Sequence, residues 1–168
     1  MSKLAAQSLL LAFVLLASCK KSSNSSTPAG GTITAMVDGT PMTFNNILVA
    51  KDTAYLGAYA ITISGISSLT ASAPELSLTV DGPSAVTTGT YSLPLSGTAT
   101  DVPALSFSQG TTLVYESDLS GTYASSIVIT TLTKTNVQGT FSGTLTLSLG
   151  SGSTTKVITD GKFDVNFK

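Results

Sequence analysis

The sequence predicts an all-β fold: a single antiparallel β-sandwich or flattened barrel of about nine or ten short strands. Apolar and hydroxyl-bearing residues alternate along most of the chain after residue 31, and this period of two is typical of half-buried strands. Threonine, which is β-branched and favours a pleated surface, is abundant there. No segment after residue 31 keeps the 3.6-residue period of an amphipathic helix. Short strands between recurrent turn signals are typical of a sandwich or barrel.

Five strands are predicted in the first half of this region. The opening strand alternates apolar residues with threonine and methionine, and Asp38-Gly39 follows it as a hairpin turn signal. Pro94 confines the fifth strand, which holds Tyr91 and Leu93, to an edge or an end of the sheet. The predicted strands cover residues 32–37, 44–50, 55–64, 74–80 and 91–93.

The second half shows the clearest alternation. Two predicted strands pair across the turn at Gln109-Gly110. In the last strand Phe163, Val165 and Phe167 face inward, and Asp160-Gly161 interrupts the strand as a turn or a glycine bulge. The predicted strands cover residues 105–107, 113–115, 127–129, 140–149 and 156–168.

The first 19 residues are typical of a bacterial lipoprotein signal. Lys3 precedes an apolar run at residues 9–17, which is shorter than the about 20 residues needed to cross a bilayer. The run ends in Leu16-Ala17-Ser18-Cys19, which resembles the lipobox, where small residues precede a cysteine that is acylated and becomes the new N-terminus. Cys19 is the single cysteine, so an exported chain has no disulfide partner for it. We expect a cleaved signal peptide at residues 1–18 and lipidation at Cys19; an ordinary secretory signal is the alternative.

The lipidated Cys19 and a predicted tether together cover residues 19–31, and the all-β domain follows at residues 32–168. The tether has no apolar residue larger than Ala29, so it buries too little surface to fold. Lys20, rather than an aspartate, follows Cys19. By resemblance to lipoprotein sorting in Gram-negative bacteria, this predicts an outer-membrane anchor through the acyl chains. No acidic cluster follows Cys19, so we expect the domain to face the periplasm, and surface exposure stays open.

The composition excludes several classes of function. The chain has eight Lys and no Arg against nine Asp and Glu, with a net charge of −1. It therefore lacks the basic footprint of a nucleic-acid-binding protein, and we expect no nucleic-acid partner. It has no His, which excludes a Ser-His-Asp triad. With Cys19 acylated, neither His nor Cys remains to bind zinc, and we expect no cofactor.

Carboxylates are the remaining acid–base groups. Glu116 and Asp118 lie two residues apart and share a face if that segment is extended, as in a glycosidase pair, whereas two acids at a strand end are more often a solvated turn. Asp160 and Asp164 flank the last turn signal, but a calcium site there needs several more oxygen ligands. Neither pair is assigned a catalytic or metal role.

The aromatic residues offer two kinds of binding site. Tyrosines exposed on one sheet face favour sugar stacking, whereas half-buried tyrosines with the hydroxyl at the rim are structural. The candidates are Tyr55, Tyr59, Tyr91, Tyr115 and Tyr123. Alternatively, an open cavity lined by Phe107, Phe141 and Phe163 favours a small apolar ligand.

The order of these landmarks resembles that of small, uncharacterised lipoproteins of Bacteroidota, a family of unknown function. The resemblance implies a fold type and an envelope location, and it supplies no catalytic residues. It covers most of the chain after the signal. The matching features are the lipobox and its tether, Ile33-Thr34-Ala35-Met36-Val37-Asp38-Gly39, Gly89-Thr90-Tyr91, Gly139-Thr140-Phe141-Ser142-Gly143-Thr144-Leu145 and Ile158-Thr159-Asp160-Gly161-Lys162-Phe163-Asp164-Val165.

The sequence favours a membrane-anchored, non-enzymatic envelope lipoprotein, a binding or accessory β-domain with an envelope protein or glycan as partner. Two alternatives stay open: a barrel-like module that binds a small apolar ligand or glycan, and a hydrolase that uses carboxylates alone. Fold does not decide among them, because one fold hosts many functions.

Overall fold

The computed structural model describes residues 30–150 and 152–167. The predicted signal peptide, Cys19 and most of the tether lie outside the described residues. The described residues form eleven β-strands and no helix, so the predicted all-β antiparallel fold is confirmed. Within the same ranges, no helix has the length and apolar character needed to span a bilayer.

The strands are numbered in chain order. They are β1 Gly31–Val37, β2 Thr40–Phe44, β3 Asn46–Tyr55, β4 Ala58–Ile66, β5 Pro74–Gly82, β6 Gly89–Leu93, β7 Val102–Gln109, β8 Leu113–Ser117, β9 Ser125–Leu132, β10 Asn136–Leu149 and β11 Thr155–Asn166.

Nine of these strands form one antiparallel path that nearly closes on itself and gives a barrel-like shape. The order is β2-β1-β11-β10-β8-β7-β5-β4-β3. The two strands at the ends of this path, β2 and β3, are consecutive in the chain and only Asn45 separates them. Asn46 Nδ2 donates a hydrogen bond to Ile66 O at 3.4 Å, and Phe44 packs against Gly65 of the same strand. One bent chain segment therefore joins both edges of the sheet.

Strand β10 is where the sheet branches. One edge of β10 pairs with β11, and the other edge is divided between β9, which pairs with residues 137–143, and β8, which pairs with residues 145–149. Strand β6 then pairs with β9. This branch places Ile127 and Ile129 of β9 in the core.

The core is built from alternate positions of the strands, as the period of two predicts. Inward residues of β1, β5 and β11 are buried, and the residues between them are half-buried or exposed. The buried aromatic residues are Phe44, Phe107, Tyr115, Phe141 and Phe163. Removing such side chains from water supplies roughly 1.5–3 kcal/mol each, which makes this interior the main source of stability.

Two reciprocal glycine–phenylalanine pairs join β10 to β11. Phe163 lies opposite Gly139, Phe141 lies opposite Gly161, and the two ring centroids are 6.4 Å apart. A Cβ on Gly139 would lie 2.5 Å from the Phe163 ring and would also meet the carbonyl of Val128, and a Cβ on Gly161 would lie 2.6 Å from the Phe141 ring. Each ring therefore occupies space that only a glycine leaves open.

The predicted interruption at Asp160-Gly161 is a β-bulge inside one continuous strand. Asp160 has φ +52°, in the left-handed region that asparagine and aspartate tolerate better than most residues. The pairing with β1 shifts there, from Thr34 opposite Lys162 to Met36 opposite Thr159. Such a bulge bends the strand and increases its twist.

Three sequence predictions need correction. The chain forms an additional strand, β2, whose Pro41 is tolerated because β2 ends the path and leaves one edge unpaired. Tyr55 ends β3 instead of starting the next strand, because the hairpin turns at Leu56-Gly57. The sequence gives little sign of this turn, since leucine is not a typical turn residue. The strand predicted at residues 140–149 begins earlier, at Asn136, because its backbone already pairs with β11 there, and its last residue, Leu149, is exposed.

We predict that Gly139→Ala destabilises the domain, because the added methyl group displaces the Phe163 ring and the Val128 carbonyl. Overpacking of this kind costs about 1–3 kcal/mol. Urea unfolding measures the loss as a lower midpoint. Gly89→Ala is the matched control, since nothing lies within 4 Å of its Cβ position. Equal midpoints for the two variants would contradict the pairing.

Candidate functional site

Asp118, one half of the predicted carboxylate pair, organises a loop. Its Oδ1 accepts hydrogen bonds from Ser120 N at 2.9 Å and Ser120 Oγ at 2.6 Å, and its Oδ2 accepts one from Tyr123 N at 3.0 Å. The Ser120 hydroxyl and the backbone N–H groups of Ser120, Tyr123 and Thr122 hold the pKa of Asp118 below its ordinary value, outweighing desolvation. The carboxylate is therefore ionised and occupied at neutral pH.

Glu116, the other half of the pair, is exposed on β8. It lies in a shallow outer concavity of about 220 Å³ whose other lining includes Ser77, Ser106 and the exposed Leu119. Asp118 does not line this concavity. The structure therefore gives no common cleft in which the two carboxylates face one substrate.

The second pair of acids is too widely spaced to hold one ion. Asp160 and Asp164 are four residues apart on β11, roughly 13 Å at the rise of an extended strand, whereas calcium ligands lie about 2.3–2.6 Å from the metal. Asp164 Oδ1 instead accepts a hydrogen bond from Asn136 Nδ2 at 2.8 Å. Across the described ranges, no group of three or more His, Cys, Asp or Glu residues is arranged to hold a metal ion.

The five tyrosines do not form a common face. Tyr115 is buried in the core, and Tyr91 Oη donates to Thr87 O at 2.8 Å and accepts from Thr87 N at 3.0 Å. Tyr123 lies in the loop that Asp118 organises, whereas Tyr55 and Tyr59 lie on the β3–β4 hairpin. A stacking platform for a sugar ring is therefore absent from the described tyrosines.

In the described part of the chain, the interior space beside Phe163 is too small for an apolar ligand. Phe107, Phe141 and Phe163 are buried against neighbouring strands. One small interior space is lined mainly by β4, β5 and β9, together with Val137 and Phe163. The volume in it that the centre of a water molecule can occupy is about 10 Å³. That volume is close to the minimum for a single water.

The outer wall carries a larger, open concavity of about 400 Å³ across β1, β11, β10 and β9. We call it the threonine face; its outward side chains are Thr32, Thr34, Thr130, Gln138, Thr140, Lys162 and Asp164. Its volume lies in the lower part of the range of about 300–1,000 Å³ that is usual for small-molecule sites, but it is an open surface depression and not an enclosed cleft.

Strand register builds this face from distant parts of the chain. Lys162 lies between Thr34 on β1 and Thr140 on β10, and in the next row Asp164 lies between Thr32 and Gln138. The intervening residues Ile33 and Phe163 point into the core. The concave wall is therefore the outer side of the glycine–phenylalanine seam.

Several polar groups of the threonine face have no protein partner. Thr130 Oγ1 donates to Gln138 O at 3.2 Å, and Asp164 is held by Asn136. Within the part of the chain that the structure describes, the hydroxyls of Thr34 and Thr140 and the Lys162 ammonium make no hydrogen bond or ion pair. These groups are free to donate and accept hydrogen bonds with a ligand.

The sequence alone does not distinguish the threonine face from other surfaces, because outward threonines occur on most strands. The topology, which inserts β11 between β1 and β10, brings Thr34 and Thr140 to either side of Lys162. The outward charges of the last strand, Lys162 and Asp164, were the one local signal that distinguished this wall.

Comparison with protein-family models, with curated proteins and with solved structures found no match to this chain. The resemblance to small envelope lipoproteins of Bacteroidota therefore stays a prediction.

We predict that Asp118→Ala speeds hydrogen exchange at the amides of Ser120 and Tyr123, because both lose their acceptor. In the wild-type protein, the two amides lose this acceptor when acid protonates the Asp118 carboxylate. The folded pKa is lowered, so the carboxylate stabilises the loop fully above the ordinary pKa of about 3.9 and loses this effect as pH falls through the folded value.

Amide exchange followed by NMR at pH 6 tests the Asp118 prediction, with the exposed Asp52→Ala as control. Unchanged exchange at Ser120 and Tyr123 in Asp118→Ala would show that the loop does not depend on the carboxylate.

Proposed function

We propose that this protein is a lipid-anchored, non-enzymatic binding module of the cell envelope and that its threonine face binds a glycan. The observation that carries the proposal is a 400 Å³ outer concavity lined by hydroxyl, amide and ammonium groups, several of them unpaired. A sugar presents hydroxyl groups that both donate and accept hydrogen bonds, which matches threonine hydroxyls and the Gln138 amide.

The carboxylates support binding rather than hydrolysis. Glycoside hydrolysis needs two carboxyl groups on either side of the scissile bond, and Asp164 is the one carboxylate that lines the threonine face. Asp118 is occupied by its own loop, and Asp38 forms an ion pair with Lys156 at 2.7 Å. The threonine face therefore holds one acid, which Asn136 engages from the side.

The anchor part of the proposal rests on the sequence. Cys19 follows a short apolar run and small residues, and it is the single cysteine. One acyl chain gives marginal membrane binding and two or more give a stable anchor, since each buried methylene contributes about 0.8 kcal/mol. The outer membrane is the proposed location, with the domain in the periplasm, because Lys20 rather than an acidic cluster follows Cys19.

We predict that Cys19→Ala leaves the protein soluble or unprocessed, because the acyl acceptor is gone. Membrane fractionation and the intact mass of the purified protein measure this, and Ser22→Ala in the tether is the matched control. Mature Cys19→Ala protein in the membrane fraction, or a mature wild-type mass without acyl chains, would refute the anchor.

We predict that Thr140→Val weakens glycan binding about two- to tenfold, which corresponds to one hydrogen bond of roughly 0.5–1.5 kcal/mol. Lys162→Met should have a larger effect, since hydrogen bonds from charged groups are stronger. A glycan array screened with the wild-type protein identifies the ligand, and calorimetric titration measures each variant. Thr112→Val, in the exposed turn after β7, is the control.

The glycan proposal fails if the array gives no binding, or if Thr140→Val and Thr112→Val bind an identified glycan equally well.

A further inference from the structure

The β3–β4 hairpin projects from the barrel and ends in exposed apolar residues. Residues 51–58 are all exposed, so neither face of this segment packs on the core. We call residues 53–59 the hairpin tip; they carry no charge. Tyr55 is 76 % exposed and Leu56 is 89 % exposed. Two of the three largest side chains of the hairpin tip are thus presented to the surroundings, and the third, Tyr59, is half-buried.

The turn holds leucine in an unfavourable backbone conformation. Leu56 has φ +51° and Gly57 has φ +84°, which are the angles of a tight hairpin turn. Asparagine, aspartate and glycine suit the first of these positions, and leucine there is strained. Neither folding nor solubility benefits from this choice, because Leu56 buries almost nothing in the barrel.

The direction of the strands places the hairpin tip at the end of the barrel where the tether enters. Neighbouring strands are antiparallel along the whole path, so β1 and β3 run in opposite directions. The start of β1 at Gly31 and the end of β3 at Tyr55 therefore lie at the same end, which we call the tether end. The turn at residues 67–73, with Leu69 82 % exposed, lies at the opposite end.

We infer that the hairpin tip inserts into the phospholipid surface to which Cys19 is anchored; this inference rests on the proposed lipid anchor. Residues 20–30 separate Cys19 from Gly31, and a random-coil chain of eleven residues spans roughly 20 Å. A tether of that length keeps the tether end near the membrane. The hairpin tip is an apolar, uncharged projection at that end, so it is placed to meet the lipid.

The chemistry and size of the hairpin tip fit a membrane interface. The amphipathic ring of Tyr55 suits the head-group level, and Leu56 suits the acyl boundary beneath it. The tip extends about two residues past Gly82, where β5 ends opposite Tyr59, which is roughly 7 Å of strand. Interfacial segments bury to about 5–10 Å. Lys51 and Asp52 at the base carry opposite charges, so they add no net repulsion from anionic lipid.

A unique tryptophan tests this inference, because the chain contains none. Full-length, acylated Leu56→Trp protein is reconstituted into vesicles of phosphatidylethanolamine and phosphatidylglycerol with brominated acyl chains. We expect a blue-shifted emission and loss of emission to the brominated lipid. Leu69→Trp is the matched control, since it is an equally exposed leucine in a turn at the opposite end, and its emission should stay unshifted and unquenched.

Tyr55→Trp is a second probe at a regular strand position, in case the strained turn does not accept tryptophan. Quenching of either tip probe without quenching of Leu69→Trp supports insertion. Equal emission of both tip probes with and without brominated lipid, in protein whose mass shows the acyl chains, overturns the inference and leaves the anchor intact. Emission that brominated lipid does not quench, but that shifts to the blue when envelope extract is added, assigns the tip to a protein partner. This outcome also overturns the inference.

A mass without acyl chains refutes the anchor instead. With added vesicles, the same tip probes then decide the inference separately, because quenching of the tip supports insertion and equal emission with and without brominated lipid overturns it.

Discussion

The contact between β10 and β11 is the constraint on which the rest of the structure depends. Phe141 and Phe163 each cover a glycine on the opposite strand, so each ring occupies the space that a Cβ would otherwise fill. Their outer surface is the centre of the threonine face, because Thr140 and Lys162 alternate with these inward residues. The bulge at Asp160 bends the same seam. A change that opens the seam therefore alters core and proposed binding wall together.

Local patterns predicted most of the fold. The turn at Asp38-Gly39 forms as expected, with φ of +49° and +76°, and Lys156 and the Val157 amide hold the Asp38 side chain. Partial burial alone would raise the pKa of Asp38, but these two donors keep it below its ordinary value. Alternation could not predict the hairpin at Leu56, because the pairing register of β3 with β4, rather than the preference of the turn residues, fixes that turn.

The candidate site was less accessible to sequence reasoning than the fold. Spacing along the chain was the only sequence evidence for acid–base chemistry, and it places Glu116 near Asp118. It does not show that Asp118 faces its own loop. The threonine face is the opposite case, because Thr34 and Thr140 are distant in sequence and meet across Lys162 only through the order of the strands. Register, rather than residue type, distinguishes this wall from other threonine-rich surfaces.

The inferred membrane contact of the hairpin tip would bind weakly by itself, and the tether to the proposed anchor would make it effective. Burying one leucine contributes roughly 1.5–3 kcal/mol at most, which is less than a stable anchor needs. With the proposed anchor, a tether of eleven residues would hold the hairpin tip at a high effective concentration near the lipid, so that a weak contact would be sufficient. A single attachment at Cys19 would leave the barrel free to tumble, whereas two attachments at one end restrict its orientation. In that arrangement the threonine face, which lies on the wall beside the tether end, would be held at a defined angle to the membrane.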